Sequence, residues 1–325
     1  MIIAIDETGS FSANSNELQF FVAVHLRQRK TLYKIKQRQF SEWESSLPRS
    51  LKNSKGEIKS SFLSDEQLFS FGKKIICSHP NVRITPLAIR PADNPNTTID
   101  KYRAVALIGI SEGVRGYNSL GKHTLATIYK EFGNWLKKLN YVQYLKIFVL
   151  GECIAAALVN TVGHSISGKY DNELPNIRYL IDKDFIKEPR HNSFWHELLR
   201  NQLYDSSKKN PLPLLRQWKK RGHPFLDKYM KNGHMNLNEL FWKKLEFVPS
   251  HKNFEIRTAD AVNTILLRYF NQQRCIDAYR AIKKFFCKDR RIHQYVLEDF
   301  DLTSYRYNPD ENPWRKVSEE LTLET

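Results

Sequence analysis

The sequence predicts an α/β fold: short, almost wholly apolar runs alternate with longer helix-prone stretches along 325 residues. Two of these runs, Met1 to Ile5 and Leu18 to Leu26 (LQFFVAVHL), are too short for buried helices, and Gly, Ser and Asn lie between them. Apolar residues make up 41% and charged residues 26%, a globular mix that allows a sizeable core and excludes a disordered or collagenous chain. At about 150 residues per domain, the length suits roughly two domains, or one large domain with insertions.

The opening runs read as a hairpin of buried strands. Gln28 to Ser45 follows as a basic helix, with Arg29, Lys30, Lys34, Lys36 and Arg38 for solvent or phosphates and Leu32, Ile35 and Phe40 for packing. A Lys/Ser/Gly loop at 52–56 leads to a helix over Ser64 to Cys77. Val82 to Arg90 (VRITPLAIR) is a third strand, and Pro86 predicts an edge or a bulge because proline donates no ladder hydrogen bond. Ile99 to Glu112 and Leu125 to Leu139 predict long helices. They precede an apolar segment, 144–159, and a Gly/Ser/Asn-rich connection from Gly163 to Pro175. Ile177 to Ile181 (IRYLI) predicts a strand ending at Asp182, and Leu245 to Val248 a short final strand. Arg257 to Phe270 is a helix with Ala259, Val262, Leu266, Tyr269 and Phe270 along one side. From Pro309 onward five acids and two bases read as a mildly acidic tail.

Lys and Arg number 51 against 35 Asp and Glu, a net charge of +16, and the pI is about 9.6. Nucleic acid is therefore the first partner class to consider. Lys183 to Lys231 holds twelve bases against five acids, interleaved with Trp195, Tyr204, Trp218, Phe225 and Tyr229. Lys208, Lys209, Arg216, Lys219, Lys220 and Arg221 are candidates for neutralising a phosphate backbone while Trp218 stacks on a base; the plainer alternative is a solvated helix face over core aromatics. Tyr144 to Val159 carries Lys146 and Glu152 and falls short of the about 20 residues of a membrane span. MIIAIDETGS meets Asp6 and Glu7 before any basic residue and leaves no room for a signal peptide, so a cytoplasmic location is expected. Cys77, Cys153, Cys275 and Cys287 form no CxxC pair, which predicts reduced, mostly buried thiols.

Three acids share a pattern. Asp6 ends one apolar strand, Asp182 ends another, and Asp260 lies near the start of an apolar helix directly after a short strand. Two carboxylates about 4 Å apart repel by about 4 kcal/mol at an effective dielectric near 20, so a convergent cluster needs a proton or a cation. Magnesium, a hard oxygen-seeking ion, is the natural cation. Paired divalent ions about 3.5–4 Å apart activate water and stabilise the leaving oxygen of a phosphodiester. Spacing alone is weak support, since a chain of this length offers many Asp triplets.

Ile3-Ala4-Ile5-Asp6-Glu7-Thr8-Gly9 resembles the opening IDESG motif of the domain-of-unknown-function 3800 family, a group similar to RNase H-like nucleases and integrases. Gly56-Glu57-Ile58-Lys59-Ser60 resembles its E-x-K/H block, and Tyr179-Leu180-Ile181-Asp182 its strand ending in Asp. Leu245 to Asn263 (LEFVPSHKNFEIRTADAVN) resembles its strand, Ser-x-Lys-like turn and Q-x-AD helix. The blocks keep the family's order over about residues 1–270. Thr8 stands where the family has Ser, Arg257 where it usually has Gln, and 140–175 reads as an insertion. The resemblance implies an RNase H-like mixed sheet flanked by helices. The catalytic domain would span 1–300, with helical insertions at about 92–175 and 186–240, the second basic and aromatic, and residues 301–325 would form a tail.

It also implies that Asp6, Asp182 and Asp260 hold Mg2+ or Mn2+, with Glu7 a fourth candidate that points to the opposite face if the strand continues. Asp184 is an alternative to Asp182. Glu57 is a candidate further ligand or phosphate-site organiser, and Lys59 and Lys252 are candidates to contact the scissile phosphate. For these three a solvated loop charge is an equal alternative.

Other motifs fail. GHSISGK at 163–169 fills seven positions of a phosphate-binding loop, but Tyr170 replaces the metal-holding Ser or Thr and Pro175 leaves little room for the following helix, so it reads as a flexible loop. His191 and His196 are five apart, off the spacing of a metal pair on a helix, and no GxSxG or Cys-His arrangement supplies a covalent nucleophile. The expected function is a metal-dependent nuclease acting on RNA or DNA, by analogy in phage defence or a mobile element. The alternative is a non-catalytic nucleic-acid-binding module or toxin partner that keeps the fold.

Overall fold

The computed structural model describes residues 1–27, 30–54, 56–78, 82–166, 176–183, 230, 231, 234, 235, 244–287, 292–297, 299, 302 and 316–321. Its strands are β1 (Ile2–Thr8), β2 (Gln19–Leu26), β3 (Arg83–Ile89), β4 (Arg178–Asp182), β5 (Met230–Lys231), β6 (His234–Met235), β7 (Leu245–Val248), β8 (Ile292–Leu297) and β9 (Lys316–Leu321). The α-helices are α1 (Lys30–Ser45), α2 (Asp65–Phe71), α3 (Asn96–Ser119), α4 (His123–Lys138), α5 (Tyr141–Ile166), α6 (Phe254–Gln272) and α7 (Ile276–Lys283). Among the described residues the fold is a mixed seven-stranded sheet, ordered β7-β4-β1-β2-β3-β8-β9, with helices on both faces; β5 and β6 pair separately. β2 runs antiparallel to both β1 and β3, while β4 runs parallel to β1 and β7 parallel to β4.

Both faces of β1 are apolar because both are covered. Ile3 and Ile5 join Phe21, Ala23 and the buried sides of α3, α4 and α5 in one core. On the other face Ile2 and Ala4 meet Leu180 and Ile256, next to a core in which Phe20, Val22 and Val24 pack against α1, α2, α6 and α7. Strand residues two apart share a face, so Asp6 continues the Ile2–Ala4 side toward α6 and Glu7 the Ile3–Ile5 side toward α5.

One segment gains its place only in the structure, and three others differ from the sequence reading. The apolar segment inside the expected 92–175 insertion is the 26-residue α5, which packs across β1, β2 and β3 and supplies much of one core. Its window Tyr141–Leu158 is long and apolar enough to cross a membrane by length and composition, yet 61% of it is buried against the protein. Leu150→Ala in this helix is expected to cost about 2–5 kcal/mol, read as a shifted urea midpoint, because Leu150 is fully enclosed. Gly163 to Ile166 continue α5 instead of opening a loop, and 167–170 lie outside the described residues.

Pro86 does not sit on an edge, since β3 lies between β2 and β8. The Ile84 N–H donates to the Phe285 carbonyl, and the Cys287 N–H donates to the Ile84 carbonyl. Two residues on, Pro86 faces the same side, in the gap between that bridge and the first β8 pair, Leu87 with His293, so its missing N–H breaks no ladder bond there. Finally, Leu245–Val248 is not the last strand, and the supposed tail contains β9, which pairs antiparallel with β8.

Candidate functional site

β1 and β4 pair in parallel from Ile2 with Arg178 to Ile5 with Ile181. The same offset carried one step further sets Asp6 beside Asp182, at the C-terminal ends of neighbouring strands about 4.8 Å apart. Both are buried, at 8% and 7% exposure. α6 crosses β1 and β2 on this face and brings Asp260 to the same place. The helix forms because Ile256, Ala259, Val262, Ile265 and Leu266 recur at three- and four-residue spacing on a buried side. It ends at Gln273, whose left-handed backbone lets its N–H cap the Arg268 carbonyl. Asn263, fully buried on the next turn after Asp260, donates to the Asp6 carbonyl at 2.8 Å and ties the helix to the strand end.

A turn following Gly56 closes the site. Asn53 and Glu57 exchange hydrogen bonds that shape it: the Asn53 N–H donates to the Glu57 carbonyl at 2.8 Å, and the Glu57 N–H to Asn53 Oδ1 at 3.0 Å. Ser60 then donates its N–H to Asp260 Oδ2 and its hydroxyl to the Asp260 carbonyl, each at 3.1 Å. Lys59 Nζ lies 3.3 Å from Glu57 Oε1.

The electrostatics show the convergence. Burial pushes the Asp6 carboxyl well above the ordinary carboxylate range, and the charges of Asp260, Glu7 and Asp182 push it further. Burial also raises Asp260, although part of the residue reaches solvent; the Ser60 hydrogen bonds and the Lys59 charge only partly offset it. Burial alone would lower Lys59, but Glu57, Asp260 and Asp182 outweigh it and hold the ammonium charged. Burial would raise Glu57, and hydrogen bonds from Ser250, Lys59 and Asn53 together with the Lys59 charge leave it lowered instead. The pocket thus contains repelling acids and one firmly protonated lysine.

The other expected residues are placed differently. Glu7, on the far face, forms an ion pair with Lys146 of α5 at 2.9 Å, so it influences Asp6 by charge while its carboxylate is engaged elsewhere. Lys252 is exposed on the 3-10 turn Ser250–Lys252, the turn that supplies the Ser250 contact to Glu57. Arg257 pairs with Glu44 of α1 and lies over the Phe40 ring, 4.7 Å from its centroid, bound to the helix layer. Asp184, Lys219, Lys220 and Arg221 lie outside the described residues. Ser60 and Asn263 were missed as site residues, although both stand inside the motif blocks that carry the acids.

A hard divalent cation suits this all-oxygen donor set chemically. The cage is not preassembled: among the described residues no three His, Cys, Asp or Glu side chains are grouped closely enough to hold one ion. Comparison with models of known families, with curated protein sequences and with solved structures gives no match to the chain.

Proposed function

We propose that the chain is a metal-dependent nuclease that hydrolyses phosphodiester bonds of RNA or DNA. The observation that carries this reading is the convergence of Asp6, Asp182 and Asp260 from two parallel strand ends and the facing helix, with Asp6 raised by burial and further by the charges of Asp260, Glu7 and Asp182. The mixed sheet with helices on both faces is compatible with the RNase H-like arrangement that the four motif blocks imply. The net charge of +16 suits a polyanionic substrate.

In this reading Asp6, Asp182 and Asp260 would hold Mg2+ or Mn2+, which when bound lowers the pKa of a water and stabilises the leaving oxygen. Ser60 and Asn263 fix the reach of Asp260 and Asp6. Lys59 offers its ammonium to a phosphate oxygen and offsets part of the local negative charge. Hydrolysis forms one phosphorus–oxygen bond to water and breaks one to the sugar oxygen, which leaves with a proton.

Lys59→Met tests the division of labour. It removes a positive charge beside the acids, so Mg2+ affinity by calorimetry is expected to stay equal or tighten, while cleavage falls about tenfold or more. Loss of metal affinity with unchanged cleavage would contradict this role.

The alternative, a non-catalytic nucleic-acid-binding module or toxin partner, is favoured by the absence of a preassembled donor group among the described residues. No heat of binding with millimolar Mg2+ or Mn2+, together with salt-sensitive binding of nucleic acid, would select it.

A further inference from the structure

Resting on the nuclease reading, we propose that Phe62 is a stacking platform for an unpaired nucleobase and that the substrate of this site is therefore single-stranded nucleic acid. Among the described residues Phe62 is the only Phe, Tyr or Trp left open to solvent, at 64% exposure. Scattered apolar side chains on a surface are ordinary, but the setting of this one is not. It ends the 3-10 turn Ser60–Phe62 that closes the acidic cluster.

That turn is pinned on several sides. Ser60 is bonded twice to Asp260, Arg268 Nη2 donates to the Ser61 carbonyl at 2.9 Å, and the Phe62 N–H donates to the Lys59 carbonyl at 3.1 Å. A ring carried on such a support loses little conformational freedom when a planar partner stacks on it. Lys59, in extended backbone, is the N-cap of this turn, three residues before Phe62, and it is the cation that senses Glu57, Asp260 and Asp182.

A phosphate-binding cation and a free aromatic face three residues apart, beside a hydrolytic cluster, form the pair a single strand requires. A duplex keeps its bases stacked inward and presents such a ring with no free face along its length. A strand seated with one phosphate at Lys59 and its neighbouring base on Phe62 would therefore be selected over a duplex before any chemistry occurs.

The test measures binding of a short RNA strand and its DNA counterpart to the full chain, with Ca2+ replacing Mg2+ so that binding is separated from cleavage. The same strands are measured as blunt duplexes and with abasic positions. Phe62→Ala is expected to weaken single-strand binding about tenfold, the scale of one base on one ring. Phe62→Trp should retain it, abasic strands should bind the wild type as weakly as intact strands bind Phe62→Ala, and the melting temperature should not move. Unchanged single-strand affinity in Phe62→Ala, equal losses for single strand and duplex, or no binding of either by the wild type would overturn the inference. If cleavage with Mg2+ survives Asp6→Asn, the nuclease reading fails by itself; if only the Phe62 result fails, that reading stands and the strand preference falls.

Discussion

Asp6→Asn is expected to reduce phosphodiester cleavage by more than about 100-fold, since even outer-shell partners of a catalytic metal cost 10–100-fold when removed. The same change is expected to raise the melting temperature of the metal-free protein. In the folded chain burial, then Asp260, Glu7 and Asp182, hold the Asp6 carboxyl above its ordinary value. Between the ordinary and the raised pKa the folded chain still holds a proton that the unfolded chain has released. The stabilisation is therefore fully present below the ordinary value and is lost as pH rises through the raised one. Asp260 shifts in the same direction and adds to the slope. Glu57 runs opposite, its contribution present above its ordinary value and lost as pH falls through the lowered one. The difference in melting temperature between wild type and Asp6→Asn, followed from acid to neutral pH without metal, isolates the Asp6 part. It should grow with pH and should shrink or reverse when Mg2+ is added. Retained cleavage, or a variant less stable at neutral pH without metal, would refute the assignment of Asp6.

Gly9→Ala is expected to destabilise the fold by roughly 2–5 kcal/mol, combining backbone strain with overpacking. Gly9 has φ +116°, a conformation side chains rarely adopt, and an added Cβ would stand 1.3 Å from Gln19 Oε1 and 2.4 Å from its Cδ. Gln19 has little room to yield: it is 1% exposed, and its amide nitrogen donates to the Glu17 carbonyl at 3.1 Å. Urea denaturation gives the loss directly. Adding Gln19→Ala should recover the overpacking share and leave the backbone share, so full rescue would argue against strain. Because the chain turns here three residues after Asp6, part of the lost stability should appear as weakened metal binding.

Particular residues show how much could be read beforehand. The run Met1 to Ile5 is apolar at every position and too short for a core helix, as a strand covered on both faces should be, and both faces of β1 are covered. α5 was harder: an almost uniformly apolar segment has no strong period to separate a core helix from another buried element, and only its packing on β1, β2 and β3 gives it a place. β8 and β9 carry His293, Gln294, Glu319 and Glu320 among their apolar residues, and such short mixed segments become strands only when a neighbour supplies the ladder. At the site, the acids were visible as residue types at strand and helix ends, whereas Ser60 and Asn263 were not, because a Ser in a loop or an Asn on a helix becomes informative only through its partner.

By itself the sequence determined the α/β class, the excess of positive charge and the positions of three carboxylates on apolar elements, two near strand ends and one on a helix. These are local properties, legible from composition and from periods of two and of three to four residues. Tertiary structure alone decided that the parallel offset of β1 and β4 puts Asp6 beside Asp182, that Glu7 turns away to Lys146, and that the turn at Ser60 holds Asp260. The physical reason is that register and packing are set by contacts between segments as many as 257 residues apart, as between Asn263 and Asp6, and no local pattern encodes which distant groups will meet.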